Sequence, residues 1–450
     1  MLRNLRKIIA AIFFIGLLLL FINAFDSFEG WTRWMAKIQF VPALMSLNFI
    51  VIAILFFATL VFGRIYCSMV CPLGIFQDLL RLFKKKKKFH YTKGYPVVRY
   101  AFLIAFLAFF ALGLASLIAF IDPYSIFGRW TAVGTSTGLA FNIVTIITFI
   151  IICVFGIFFG RSYCNNICPV GTILGLLSKY SLFRININAT KCNGCKVCAS
   201  KCKCSCINPD EHKVDMERCV ACFDCIGNCK QGAISYTLRG MKPAEPTDTS
   251  RRNFVGTVGL LASSVLVAKA QNVSEAVAAV EGKSTPKRRT PLKPAGAQSL
   301  TNFSQHCTAC QLCVNHCPQH VLKPSTELTS FMQVEMSYED GYCDIDCNKC
   351  SQVCPTGAIK PITLEEKNAT QIGHAVAYPE YCINNASTGR CGKCEEVCPA
   401  GAITLVEKNG KMVPSIDEEF CIGCGACEFN CNASPIKAII IEGHEVHKEV

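Results

Sequence analysis

The chain has 450 residues, a formal net charge of +13 and a composition that is 51% hydrophobic. That length admits two or more domains, and the apolar residues gather in the first 180 positions, which argues for a membrane half followed by a soluble half. Basic residues lie mostly beside apolar segments, which ties the charge to membrane topology rather than to nucleic acid.

Four apolar segments are long enough to cross about 30 Å of hydrocarbon: Ile8–Phe25, Phe40–Phe62, Val97–Ile121 and Leu139–Gly160. Arg3, Arg6 and Lys7 precede the first, and the five-lysine run Lys84–Lys88 follows the second. The positive-inside rule then keeps both chain ends of this half in the cytoplasm, with loops Asp26–Gln39 and Asp122–Gly138 outside. Trp31, Trp34 and Trp130 fall in those two loops and read as interfacial anchors. Asp122, Arg129 and Trp130 are candidates for a quinone site at the outer surface, against the plainer reading of a loop with anchors. Cys153, inside the fourth segment, reads as packing.

Segments two and four end alike. "GRIYCSMVCPLG" occupies Gly63–Gly74 and "GRSYCNNICPVG" occupies Gly160–Gly171. The repeat makes this half a duplicated two-helix unit. Its cysteines, Cys67, Cys71, Cys164 and Cys168, have three readings. They form one iron–sulfur cluster site shared two plus two, a pair of redox-active dithiols, or structural cysteines of a tight turn. On the cluster reading the site lies at the cytoplasmic face, and any module outside is separated from it by about 30 Å of hydrocarbon.

Next come "CNGCKVCASKC" and "CVACFDCIGNC", giving Cys192, Cys195, Cys198, Cys202 and Cys219, Cys222, Cys225, Cys229. Paired runs of this spacing signal a two-cluster ferredoxin, in which the fourth cysteine of each run ligates the other cluster. Cys192, Cys195 and Cys198 therefore pair with Cys229, and Cys219, Cys222 and Cys225 with Cys202. Cys204 and Cys206 are rival fourth ligands, and a zinc ribbon is the runner-up for this module.

"TSRRNFVGTVGLLASSVLVAKAQ", Thr249–Gln271, reads as a twin-arginine export signal, or as a fifth span if it is not cleaved. An ordinary helix is the plainer alternative, and it would leave every cluster in the cytoplasm. Glu281–Leu300 reads as a linker. Four more runs follow: Cys307/Cys310/Cys313/Cys317, Cys343/Cys347/Cys350/Cys354, Cys382/Cys391/Cys394/Cys398 and Cys421/Cys424/Cys427/Cys431. Crossing assigns Cys354 to the first set, Cys317 to the second, Cys431 to the third and Cys398 to the fourth. Disulfide frameworks scatter their cysteines to staple loops, whereas these runs are tight. Six 4Fe–4S clusters with their thiolates would add about −12 and nearly cancel the basic excess. His306 beside Cys307 reads as a loop residue.

The first 240 or so residues resemble the NapH family of membrane quinol dehydrogenase subunits, through the two repeat motifs and the ferredoxin pair behind them. From Ser250 the chain resembles the NapG family of exported polyferredoxins, through "SRRNF", "PLKPAGA" and the four irregular runs. The resemblance implies a fusion that oxidises a quinol and passes electrons to a periplasmic reductase. Assembly or metal-handling factors of the CcoG kind, redox sensors and cytoplasmic-side exchange with the quinone pool are the alternatives. The expected architecture is a membrane α-helical bundle plus α+β ferredoxin-like modules. Residues 1–185 form a four-helix membrane domain, 186–240 a two-cluster cytoplasmic ferredoxin, 241–300 the signal and linker, and 301–450 a four-cluster polyferredoxin. The cofactors expected are six 4Fe–4S clusters and a seventh at the repeat. The partners expected are the bilayer, a quinone and a redox protein, and the location is the bacterial cytoplasmic membrane with the last module periplasmic.

Overall fold

The computed structural model describes residues 2–23, 29–81, 89–133, 139–239, 288–327, 330–386, 391–408, 410–434 and 436–449. The twin-arginine-type stretch Thr249–Gln271 and the lysine run Lys84–Lys88 lie outside the described residues.

The first half is helical: α1 (Leu2–Phe21), α2 (Glu29–Lys37), α3 (Phe40–Met45), α4 (Phe49–Phe62), α5 (Tyr66–Met69), α6 (Pro72–Leu80), α7 (Pro96–Ala111), α8 (Ala115–Ile121), α9 (Pro123–Thr131), α10 (Leu139–Val154), α11 (Ser162–Asn166) and α12 (Pro169–Ser178). Two stretches among the described residues are long and apolar enough to cross a membrane, Leu2–Phe21 and Phe141–Phe159, the latter ending in a π-helical turn. The other two expected spans are broken. Leu47, with a positive φ, and Asn48, whose side chain caps Val51 N, divide the second into α3 and the 14-residue α4. Gly113, at φ +69°, divides the third into the 16-residue α7 and α8. At 1.5 Å per residue, α4 and α7 reach only about 21–24 Å.

The described parts of the expected outer loops are largely helical. Helix α2 runs back along α1, where Gly16 leaves room for Met35 and Phe13 meets Trp34 at 5.7 Å. Helices α8 and α9 form a second hairpin, with Asp122 at its apex and 1% exposed. Asp122 caps α9 by accepting from Ser125 N at 2.8 Å and Ser125 Oγ at 2.7 Å. Arg129 is fully buried and donates to Ala119 O at 2.8 Å. Trp130 lies 5.1 Å from Phe76 and 4.9 Å from Phe149 of α10. Asp122 and Arg129 are therefore interior parts of the helical domain, and Trp130 is partly buried against it.

The first ferredoxin module carries β1 (Phe183–Ile187), α13 (Val197–Lys201), β2 (Ile207–Asn208), β3 (Lys213–Val214), α14 (Asp224–Asn228) and β4 (Ile234–Leu238). Strand β1 pairs antiparallel with β4, Phe183 opposite Leu238 through Ile187 opposite Ile234. The module sits at the end of the helical domain where α4 stops. Leu182 N donates to Leu60 O, Tyr236 Oη to Phe62 O, and the rings of Phe62 and Phe183 stack.

The C-terminal module carries α15 (Leu300–His306), α16 (Leu312–Asn315), β5 (Leu322–Pro324), β6 (Val334–Met336), α17 (Lys349–Val353), α18 (Leu364–Asn368), β7 (Thr370–Ala377), α19 (Ile383–Ala386), α20 (Lys393–Glu396), β8 (Ile403–Lys408), β9 (Lys411–Ile416), α21 (Ala426–Phe429) and β10 (Ile439–Glu449). Strands pair in twos: β5 with β6, β7 with β10, β8 with β9. Part of the expected linker belongs to this core. Leu292 and Ala297 are buried, Met336 N donates to Leu292 O, and Gly296, at φ +92°, accepts from Lys360 N. Two prolines, Pro291 and Pro294, hold this entry strand extended.

The module docks on the opposite end of the helical domain from the first. Asn315 Nδ2 donates to Phe21 O at 2.8 Å, Phe120 stacks on Phe331, and Gly128 packs under the carbonyl of Cys310. At the other end of α1, Arg3 packs on Gly227 of the first module. Helix α1 thus reaches from one cysteine-rich module to the other, about 30 Å for its 20 residues.

Strand β10 also half-buries His447, and that partial burial, reinforced by His444, pushes its pKa down to about 4. The unfolded chain takes that proton near 6.5, so the neutral ring's contribution is intact above pH 6.5 and is lost as pH falls toward 4. The acid-limit loss is roughly 3 kcal/mol. His447→Gln should flatten the fall of the thermal midpoint over that interval. Parallel curves for variant and wild type would contradict the assignment.

Candidate metal centres

The repeat motifs form a pseudo-twofold pair. Arg161 Nη1 donates to Cys67 O at 2.6 Å, and Arg64 Nη2 donates to Cys164 O at 3.2 Å. Gly74 and Gly171 sit so close to those carbonyls that a Cβ would fall 2.3 and 2.1 Å from them. Cys71 and Cys168 each occupy the N-cap before a proline, with ψ 117° and 118°. The four cysteines share one buried core, and their thiols interact electrostatically across the two copies.

The surroundings suit an anionic centre. Arg64 and Arg161 are buried beside the cysteines, and Arg64 Nη2 lies 3.9 Å from Cys67 Sγ. Arg64 Nε, Arg161 Nη2 and Gln77 Nε2 are buried with no hydrogen-bond partner among the described residues. The nearest carboxylate, Asp78, is offset by Arg161 at 2.9 Å, Arg6 at 2.9 Å and Lys203 at 3.3 Å. A four-thiolate iron–sulfur centre of net negative charge would complement these cations.

In the C-terminal module the crossed sets come together. Cys307, Cys310, Cys313 and Cys354 line a cavity of about 330 Å³. Cys317, Cys343, Cys347 and Cys350 line one of about 500 Å³. Cys398, Cys421, Cys424 and Cys427 line one of about 280 Å³, and Cys382, Cys391, Cys394 and Cys431 one of about 420 Å³. Left-handed residues before the helices, such as Gln311 and Gly425, turn the backbone around each cavity. Among the described residues no three His, Cys, Asp or Glu side chains converge tightly enough for a single metal ion. Rings of sulfur around a cavity match a polynuclear centre. Burial, the largest cause, pushes Cys424 up to about 12. Such thiols stay protonated at neutral pH unless a metal replaces the proton.

In the first module, Cys225 interacts with Cys222, Cys219 and Cys202, and Cys198 with Cys192 and Cys195. Cys229 caps α14, which packs on α13. Cys206 Sγ lies 3.5 Å from Cys202 Sγ. Cys204, also buried, lies in the electrostatic field of Cys202, Cys219 and Cys222 on one hand and of Arg64 and Arg161 on the other. Cys153 is partly buried in α10, and His306 ends α15 with Nδ1 2.8 Å from Asn302 O. Sequence reasoning missed the two arginines as neighbours of the cysteines, although their place in the repeat was the available signal.

Two families match the chain. A 4Fe-4S binding domain matches residues 44–90 and 141–189, one copy of the repeat in each, and a 4Fe-4S dicluster domain matches residues 306–385 and 389–434. An uncharacterized protein of Methanocaldococcus jannaschii is 28% identical over 244 residues, covering 52% of this chain and 86% of the relative. The ferredoxin-type protein NapH of Escherichia coli is 28% identical over 216 residues, 44% of this chain and 70% of the relative. The methylamine utilization ferredoxin-type protein MauN of Paracoccus denitrificans is 32% identical over 150 residues, 32% of this chain and 50% of the relative.

Proposed function

We propose that this iron–sulfur, ferredoxin-type electron-transfer protein, related to NapH and MauN, oxidises a membrane quinol and delivers electrons to a redox protein at its C-terminal module. The observation that carries the reading is the set of four cavities, each ringed by three cysteines of one run and the fourth of its partner run. The crossed sets of the first module and the four repeat cysteines supply two further 4Fe–4S sites and a seventh. Bound clusters supply one-electron storage at closely spaced points. The chain's own part is to hold thiolates at each point, to bury them, and to place Arg64 and Arg161 against the repeat site.

The long helices α1 and α10 and the basic N-terminal flank support a place in the cytoplasmic membrane, with the first module inside and the C-terminal module in the periplasm. Two modules at opposite ends of α1 disfavour the reading in which every cluster is cytoplasmic. Seven sites in series favour conduction over an assembly factor or a sensor, which needs few.

The test is anaerobic titration of the oxidised holoprotein with a reduced, water-soluble quinol analogue. The iron–sulfur absorbance should bleach in wild type. Bleaching by dithionite but not by the quinol would overturn the quinol assignment. In the same preparations, Cys354→Ser should remove the centre that uses Cys307, Cys310 and Cys313 while Cys317→Ser spares it. The reverse pattern would overturn the crossed ligand sets.

A further inference from the structure

The cysteine sets do more than populate two separate modules. Cys204 of the first module is buried within electrostatic reach of Arg64 and Arg161, whose guanidinium groups donate to Cys164 O and Cys67 O. Asn165 Nδ2 reaches Cys204 O at 3.4 Å, and the backbone N of Arg161 donates to Lys203 O at 3.1 Å. On the far side of the repeat site, Tyr66 interacts with Cys71 and Asp122, and its hydroxyl donates to Gln39 Oε1 at 2.8 Å. Tyr163 Oη donates to Ile121 O at 3.0 Å, beside Asp122. Tyr124, two residues on, is buried at the head of α9, whose Gly128 packs under the Cys310 carbonyl, and it lies in the field of both Asp122 and Cys310.

The series continues inside the C-terminal module. Helices α16 and α17, which carry Cys313 and Cys350, pack together and join the first cavity to the second. Cys343 N donates to Cys424 O at 2.9 Å, joining the second to the third. Helices α20 and α21 pack together and join the third to the fourth. Its Cys382, Cys391, Cys394 and Cys431 are all only partly buried, at the end of the series.

We infer that these residues form one continuous relay through the helical domain, so that electrons pass between the two faces of a membrane inside the protein and need no diffusing carrier between the modules. The inference rests on the reading of the cysteines as cluster ligands and adds the route. Each transfer takes one electron from a reductant at the first module and gives one to an oxidant at the C-terminal module. A cation must follow to balance charge. The two re-entrant hairpins make the route short: they bring Gln39 and Asp122 down to the repeat site and leave α9 to carry Tyr124 up to Cys310.

The test uses the full holoprotein in quinone-free vesicles. Ferricyanide is trapped inside, dithionite is added outside, and potassium with valinomycin carries the compensating charge. Dithionite is oxidised to sulfite and ferricyanide is reduced to ferrocyanide. The expected result is reduction of trapped ferricyanide well above protein-free vesicles, and its loss to that baseline in Cys67→Ser/Cys164→Ser. Iron in the double variant should fall by about four per chain, with the six module centres retained. Independently of any variant, paramagnetic resonance of partly reduced wild type should show spin–spin broadening between the repeat-site signal and module signals. An unchanged iron count overturns the ligand reading itself. A full iron count and an intact repeat-site signal, with ferricyanide reduced only after menaquinone is added, overturns the relay alone. Absence of broadening does the same.

Discussion

Arg161→Ala is expected to cost about 1–3 kcal/mol, short of the penalty for a wholly unpaired buried charge because Arg6 and Lys203 still face Asp78. Asp78 is the charge at stake. Burial pushes its carboxyl up, but Arg161 first, then Lys203 and Arg6, outweigh burial and hold it well below the usual carboxylate range. The pKa is depressed, so this contribution is present above the unfolded value near 3.8 and lost only as pH falls below it. Arg161 supplies two contacts at once, Nε to Asp78 at 2.9 Å and Nη1 to Cys67 O at 2.6 Å. Its removal therefore loosens α5 as well as α6. Arg64, its repeat equivalent, holds Asn165 Oδ1 and Glu217 O and pairs with no carboxylate among the described residues. Arg64→Ala should cost less in denaturation measured in detergent at neutral pH. Equal losses for the two variants would show that Asp78 is not the source.

The asymmetry marks what the sequence carried and what it did not. The repeat G-R-x-Y-C-x-x-x-C-P-x-G announced the pairing, and the structure returns it residue by residue: Arg64 with the carbonyl of Cys164, Arg161 with that of Cys67, Gly74 and Gly171 under those carbonyls. Such contacts are legible because duplication writes the same local chemistry twice. The spacing of each run fixes which three cysteines share a turn, and each such trio lines a cavity with one cysteine of the partner run. Asp78 was not legible. Its counterpart in the second copy is Gly175, so the repeat offers no hint that one side carries an ion cluster and the other does not.

The breaks in the second and third apolar segments were missed because hydropathy measures how much of a segment is apolar, not where it bends. Leu47–Asn48 and Gly113 interrupt runs that remain apolar on both sides, and the signal averages across them. Likewise Asp122, Arg129 and Trp130 look like interfacial residues in sequence. Only the packing of α9 between α6, α10 and Cys310 places them inside. The docking of the C-terminal module depends on contacts nearly 300 residues apart, such as Asn315 with Phe21, and no local pattern encodes them.

That module should also be the part that fails first when iron is removed. Its sheets have two strands each, and its helices run from four to seven residues. Hairpins and helices of that size are marginal on their own. Its cysteines line the cavities at its centre, so the centres take the place of a larger apolar core. Metal–thiolate binding contributes on the order of 10 kcal/mol at structural zinc sites. That is comparable to the whole stability of a typical domain, about 5–15 kcal/mol. Oxidation with a chelator present should therefore unfold residues 288–449 while α1, α4, α7 and α10 persist in detergent. Far-ultraviolet circular dichroism should lose its strand contribution and keep most of its helix signal. Limited proteolysis should cut within the C-terminal module and spare α1 and α10. Retained protease resistance after complete loss of iron would mean that the paired strands and their buried residues, Ile372, Ile439 and Ile441 among them, hold the module without metal.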